Sequence, residues 1–158
     1  ILQERPLLII DNPDEQSYPA IRLLYDKVSE KGATLVLFMT WGPRDGLPDV
    51  GYKNYDETQA QICAGYMDIA NELDVVVAPV GIAWQNAIKR DPQLNLWNLD
   101  GIHPSMEGSY LSACVFYATI FQQSPEGLTY RADLPEEIAR FLQVIAAETV
   151  LVKSFLLI

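Results

Sequence analysis

Histidine, cysteine and positive charge are all scarce in this chain. Its 158 residues hold one histidine, two cysteines, and 11 lysines and arginines against 21 acidic residues. A net charge of −10 leaves no basic stripe of the kind a nucleic-acid partner would want. One histidine, with no closely spaced cysteine pair, supplies too few ligands for a zinc site, so no metal is expected. Cys63 and Cys114 fall within apolar helical patterns, which points to buried thiols rather than a disulfide. There is no run of roughly 18 apolar residues, so no membrane-spanning helix is expected. No glycine-rich turn follows an apolar strand-like run, which counts against a phosphate-cradling nucleotide site. Internal repeats and low-complexity tracts are absent as well. A soluble protein is expected, cytoplasmic or secreted, and nothing in the residues chooses between the two.

What remains is a globular composition, 49% apolar and 20% charged. Ile1-Leu2-Gln3 starts on a strand-like run that ends near Gln3. Ser17 is placed to cap a helix running to about Lys31, with Ile21, Leu24, Tyr25 and Val28 on one face and Gly32 at its end. Pro19 falls in its first turn, where a missing N–H costs little. Ala33 to Thr40 is apolar and partly β-branched, as a buried parallel strand should be. A Gly- and Pro-rich loop follows, to about Lys53. Asn54 and Glu57 form a capping pair for a helix to about Leu73, with Ile62, Tyr66, Ile69 and Leu73 inward. Val75 to Pro79 predicts a second short strand, and Gly81 to Lys89 a helix. Pro104 opens another helix to about Gln122. Asp133-Leu134-Pro135-Glu136 starts the last, with Ile138, Leu142, Ile145, Thr149 and Val152 on one face. Alternating β and α units without hairpin signals predict a parallel sheet covered by helices. Reactive groups should then gather at the carboxyl ends of its strands.

The segment Trp97-Asn98-Leu99-Asp100-Gly101-Ile102-His103-Pro104-Ser105 contains the only imidazole. An Asp-x-x-His turn lets one short loop supply both groups: the carboxylate holds the Nδ1 proton and Nε2 faces a nucleophile. Asp100 and His103 are therefore the candidate catalytic residues. Ser105 is the serine nearest His103, and helix capping explains it better than nucleophilic attack. Trp41 and Trp84 each lie just past a strand and are candidate walls of a substrate pocket. Trp97 is expected to pack beneath the loop.

Asp-Gly-Ile-His-Pro-Ser, continued by Met106-Glu107-Gly108-Ser109-Tyr110-Leu111, resembles the last conserved block of the SGNH (GDSL-like) hydrolases. Ile1-Leu2-Gln3-Glu4, Leu37-Phe38-Met39-Thr40-Trp41, Ala78-Pro79-Val80-Gly81-Ile82-Ala83-Trp84 and Ala113-Cys114-Val115-Phe116-Tyr117 look like landmarks of one bacterial subgroup of that family. The resemblance implies one flavodoxin-like α/β/α sandwich over residues 1–158, with a parallel sheet. It assigns Asp100 and His103 to a Ser-His-Asp triad that hydrolyses an ester, with no metal or organic cofactor. An acetylated carbohydrate, a lipid ester or a small acyl ester would be the substrate, with the carbohydrate or small acyl ester favoured.

The family's serine sits in a Gly-Asp-Ser or Gly-Asn-Ser turn after the first strand, and none of Ser17, Ser29, Ser105, Ser109, Ser112, Ser124 and Ser154 lies in such a turn. The nucleophile block, and the first strand with it, are therefore expected upstream of Ile1, making this an N-terminally incomplete domain. An open apolar strand edge would also invite self-association. Where the family supplies an oxyanion-hole asparagine, this chain reads Leu2-Gln3-Glu4, which makes Gln3 the candidate amide donor. The family's layout also places a short irregular connection at Leu7-Leu8-Ile9-Ile10, although composition alone reads these four residues as a strand. An SGNH-like scaffold that binds a ligand without turning it over is the alternative function.

Overall fold

Three short apolar runs pair side by side in the computed structural model, which describes residues 1–152. They are β1 (Leu2–Gln3), β2 (Val36–Phe38) and β3 (Val76–Ala78), all parallel, in the order β1-β2-β3. Leu37 of the middle strand stands between Leu2 and Val77 and is fully buried. The expected strand from Ala33 to Thr40 is thus paired only at its centre, because its neighbours are two and three residues long. The described residues divide into two compact units, one from Ile1 to Gly81 and one beginning at Ile82. The sheet lies wholly within the first.

Parallel pairing requires a crossover after each strand. Between β1 and β2 the chain forms α1 (Pro6–Ile10) and α2 (Ser17–Ser29). The Leu-Leu-Ile-Ile run is therefore helical, neither a strand nor an irregular connection. Pro6 stands at the first helical position, where its fixed φ suits a helix and its missing N–H goes unneeded. One helical turn also satisfies backbone groups that have no partner strand. Ser17 is not the cap of α2. It lies inside the helix, buried, and its hydroxyl donates to the Leu8 carbonyl at 2.8 Å, tying α2 back to α1. Leu24, expected on the inward face, is exposed.

The crossover from β2 to β3 is α3 (Tyr55–Leu73), started as its sequence predicts. Asn54 accepts the Glu57 N–H at 2.9 Å, and Glu57 accepts the Lys53 N–H at 2.8 Å. Its inward residues Ile62, Tyr66 and Ile69 are fully buried. The Tyr66 hydroxyl accepts from Glu4 N–H at 2.8 Å and donates to Glu4 C=O at 3.0 Å, pinning the chain where it leaves β1.

α4 (Val80–Arg90) begins at the end of the first unit and continues into the second. The second unit is otherwise built on α5 (Met106–Phe121) and α6 (Glu136–Leu151), which pack on each other. Leu111, Val115 and Ala118 of α5 and Ala139, Leu142 and Ala146 of α6 are fully buried. Gln143 satisfies its buried amide by donating to Tyr110 Oη at 2.8 Å and Leu128 C=O at 3.0 Å and accepting from Gly127 N–H at 3.0 Å. Asn86–Thr149 and Arg90–Glu148 contacts of 3.1 and 2.6 Å join α4 to α6. Among the described residues no helix is long and apolar enough to cross a membrane, and neither Cys63 nor Cys114 is in a disulfide.

Candidate functional site

The loop before α5 closes on itself. Trp97 and Pro104 form an antiparallel bridge, and Asn98 N–H donates to His103 C=O at 2.7 Å. Ser105 N–H bonds Leu96 C=O at 2.8 Å, and the Ser105 hydroxyl donates to Asn95 C=O at 3.0 Å while accepting the Gly108 N–H at 3.2 Å. Ser105 is thus the N-cap of α5. Beneath the loop, Trp97 meets Trp84 edge to face, with ring centroids 5.2 Å apart.

Within the loop, Asp100 uses each carboxylate oxygen separately. Oδ1 accepts the backbone N–H groups of Ile102 and His103, both at 2.9 Å, and Oδ2 lies 2.7 Å from His103 Nδ1. The imidazole bond, followed by the two backbone bonds, holds the Asp100 carboxyl down at about 2. The group is an anion, and therefore only an acceptor, throughout the neutral range. The proton between the two groups thus belongs to Nδ1, leaving Nε2 as the basic nitrogen. The imidazole is 73% exposed, so its Nε2 can be reached from outside. Leu99, Ile102 and Met106 surround it in sequence and are all exposed.

The other sequence candidates separate. Gln3 ends β1 and is exposed, while Trp41 lies three residues beyond β2 with its ring 6.2 Å from Phe38 and is part-buried. Both therefore stand at the carboxyl end of the sheet, in the first unit. Trp84 has no accessible surface and packs against Trp97, so it is a core side chain and offers no wall to a ligand. Ser109 and Ser112 donate to the backbone carbonyls of Ser105 and Gly108, each at 2.8 Å. Ser154 lies outside the described residues.

One residue went unnoticed in the sequence. Gln59 is fully buried on the inward face of α3 and bonds the backbone on both sides of Trp41. The available signal was a polar side chain at helical spacing from Ile62, Tyr66 and Ile69. Among the described residues, no group of three or more His, Cys, Asp or Glu is arranged to hold a metal ion.

No family model and no curated protein matches the chain. Two solved structures resemble it. A DUF4886 family protein from Bacteroides uniformis superposes with a TM-score of 0.78 at 21% identity, over 94% of this chain and 60% of that one. A candidate SGNH hydrolase from Slackia heliotrinireducens gives 0.63 at 24% identity, over 75% of this chain and 62% of that one. The fold is SGNH-like. Its class is α/β, in keeping with the three-layer α/β/α sandwich of such hydrolases. The chain spans about 60% of the length of these two structures.

Proposed function

We propose that this chain carries the general-base half of an SGNH-type serine esterase. The observation behind the reading is the oriented pair: Asp100 Oδ2 is 2.7 Å from His103 Nδ1, and Nε2 is left basic. The nucleophile is a serine N-terminal to Ile1, since Ser105, Ser109 and Ser112, the serines that follow His103 in the chain up to the middle of α5, each donate to a backbone carbonyl.

The serine Oγ bonds to the ester carbonyl carbon while its proton passes to Nε2. Collapse of the tetrahedral intermediate breaks the bond to the alcohol, which leaves with the proton from Nε2–H. Water repeats the sequence, its proton passing to Nε2 and then back to the serine Oγ, and frees the acid. Asp100 keeps Nδ1 protonated and stabilises the imidazolium in both halves. The Gln3 amide is the side-chain donor to the oxyanion, and Trp41 is a wall for the group attached to the reacting carbonyl. The substrate is an acetylated carbohydrate or another small acyl ester, and no metal or organic cofactor takes part.

A fluorophosphonate probe with peptide mapping, alongside p-nitrophenyl acetate turnover, tests this on the N-terminally extended polypeptide. The label should land on a serine before Ile1, and His103→Ala should slow labelling and turnover together. A label on Ser105 would refute the assigned nucleophile. Neither label nor turnover would favour the ligand-binding scaffold over the enzyme.

A further inference from the structure

The inward face of α3 is apolar except at its first buried turn, where Gln59 stands in line with Ile62, Tyr66 and Ile69. A fully buried amide persists where its bonds are made. Here Oε1 accepts the Gly42 N–H at 2.9 Å, and Nε2 donates to the Thr40 C=O at 3.3 Å and lies 3.5 Å from Cys63 Sγ. Thr40 and Gly42 are the residues immediately before and after Trp41. One side chain therefore holds the main chain on both sides of that tryptophan.

The surroundings leave the clamp no slack. A Cβ on Gly81 would run into the Gln59 amide nitrogen and the Thr40 carbonyl oxygen, and one on Gly42 would stand 3.0 Å from Thr58 Cγ2. Gly81 N–H also bonds Met39 C=O at 3.0 Å, fixing the residue before Thr40. This much order is built around a loop at the carboxyl end of a parallel sheet, where open α/β folds take their ligands.

We infer that Gln59 is a positioning residue: it fixes the backbone of Trp41 so that the indole presents one set face to the ligand. Gln59 acts through Trp41 and does not itself touch substrate. The identity of that ligand, the group attached to the ester carbonyl, rests on the esterase reading above, but the clamp does not.

Gln59→Met removes the donor and acceptor at similar length, and Gln59→Leu does so with a branched shape should the first variant not fold. Three measurements decide. Hydrogen exchange at the Gly42 amide should quicken by about tenfold, the loss of one buried hydrogen bond, while amides deep in α3 change little. Acrylamide quenching should rise about twofold relative to wild type. Trp84 and Trp97 are buried, so the quenchable emission is that of Trp41, and Trp41→Phe removes it. In the N-terminally extended polypeptide, KM for p-nitrophenyl butyrate should rise about three- to tenfold with kcat within about twofold, the pattern of lost uniform binding.

Unchanged Gly42 exchange and quenching in a folded variant overturn the clamp. So does a uniform acceleration of all core amides, which would make Gln59 a support of the fold alone. A loosened loop with KM and kcat both unchanged overturns the link to substrate. A wild-type polypeptide that turns over no ester sinks the esterase reading, and exchange and quenching then decide the clamp by themselves.

Discussion

Replacing Gly108 with alanine sets two effects of opposite sign against each other. Gly108 lies in the first turn of α5, and alanine favours a helix over glycine by about 0.5–1 kcal/mol. The new methyl, however, would run into the Leu96 carbonyl oxygen and stand 2.6 and 2.8 Å from Trp84 Cζ2 and Cη2. Neither neighbour yields easily: Trp84 is fully buried against Trp97, and the Leu96 carbonyl is engaged by Ser105 N–H at 2.8 Å. Overpacking of this kind costs about 1–3 kcal/mol, so clash outweighs propensity and a net loss of about 1–2 kcal/mol is expected. For a chain of this size that lowers the unfolding midpoint by about 2–8 °C. Thermal unfolding followed by circular dichroism measures it, with Ala113→Gly on the exposed side of the same helix isolating the propensity term. A Gly108→Ala protein that unfolds at or above the wild-type midpoint would show that Trp84 and Leu96 shift freely, and the packing account of this loop would be wrong.

In the N-terminally extended polypeptide, His103→Ala should lower kcat/KM for p-nitrophenyl acetate by about 10²–10⁴, the usual contribution of a general base, and wild-type turnover would count against it. Asp100→Asn should lower it too, because an amide in place of Oδ2 donates to Nδ1 and selects the wrong tautomer, but by somewhat less, since the imidazole itself is retained. The Asp100 carboxyl should titrate near pH 2 by NMR, well under the ordinary 3.8. Its contribution to the folded loop is then complete above the ordinary value and lost as pH falls through about 2, and a carboxyl titrating normally would mean that its three bonds are not made in solution. Asn54→Ala should destabilise the protein by about 1 kcal/mol through loss of the α3 cap, and an unchanged denaturation midpoint would contradict the Asn54–Glu57 exchange.

Elements with a local chemical signature could be read directly. The Asn54–Glu57 pair marked the start of α3 to the residue, and Ser105 was read as a cap, because in both cases side chain and backbone partner are three positions apart. α5 nevertheless begins at Met106 and not at Pro104, which is held outside it by its bridge to Trp97. Ser17 looked just as much like a cap, but the Leu8 carbonyl packed against it from α1 outbid the local partner, which no pattern around residue 17 contains. Leu7 to Ile10 followed Pro6 into a helical turn because no strand lies alongside to pair with it. At the site, Asp100 and His103 were legible from their spacing, whereas the roles of Trp84 and Gln59 depend on side chains far off in sequence. Trp84 is covered by Trp97, and Gln59 reaches back 17 and 19 residues to Gly42 and Thr40.

The Trp97–Pro104 bridge and the Asn98–His103 bond give the Asp100–His103 pair an unusually low contact order. Closing six residues costs little conformational entropy, so carboxylate and imidazole can find each other early in folding, and can survive partial melting elsewhere. A proton-accepting unit of this kind behaves as a cassette: its internal geometry travels with the segment from Leu96 to Gly108, and a host fold has only to deliver a nucleophile to Nε2. On the esterase reading, long-range precision is concentrated in the placing of one hydroxyl, which is therefore where drift in the scaffold would first silence activity while leaving the acid–base pair intact.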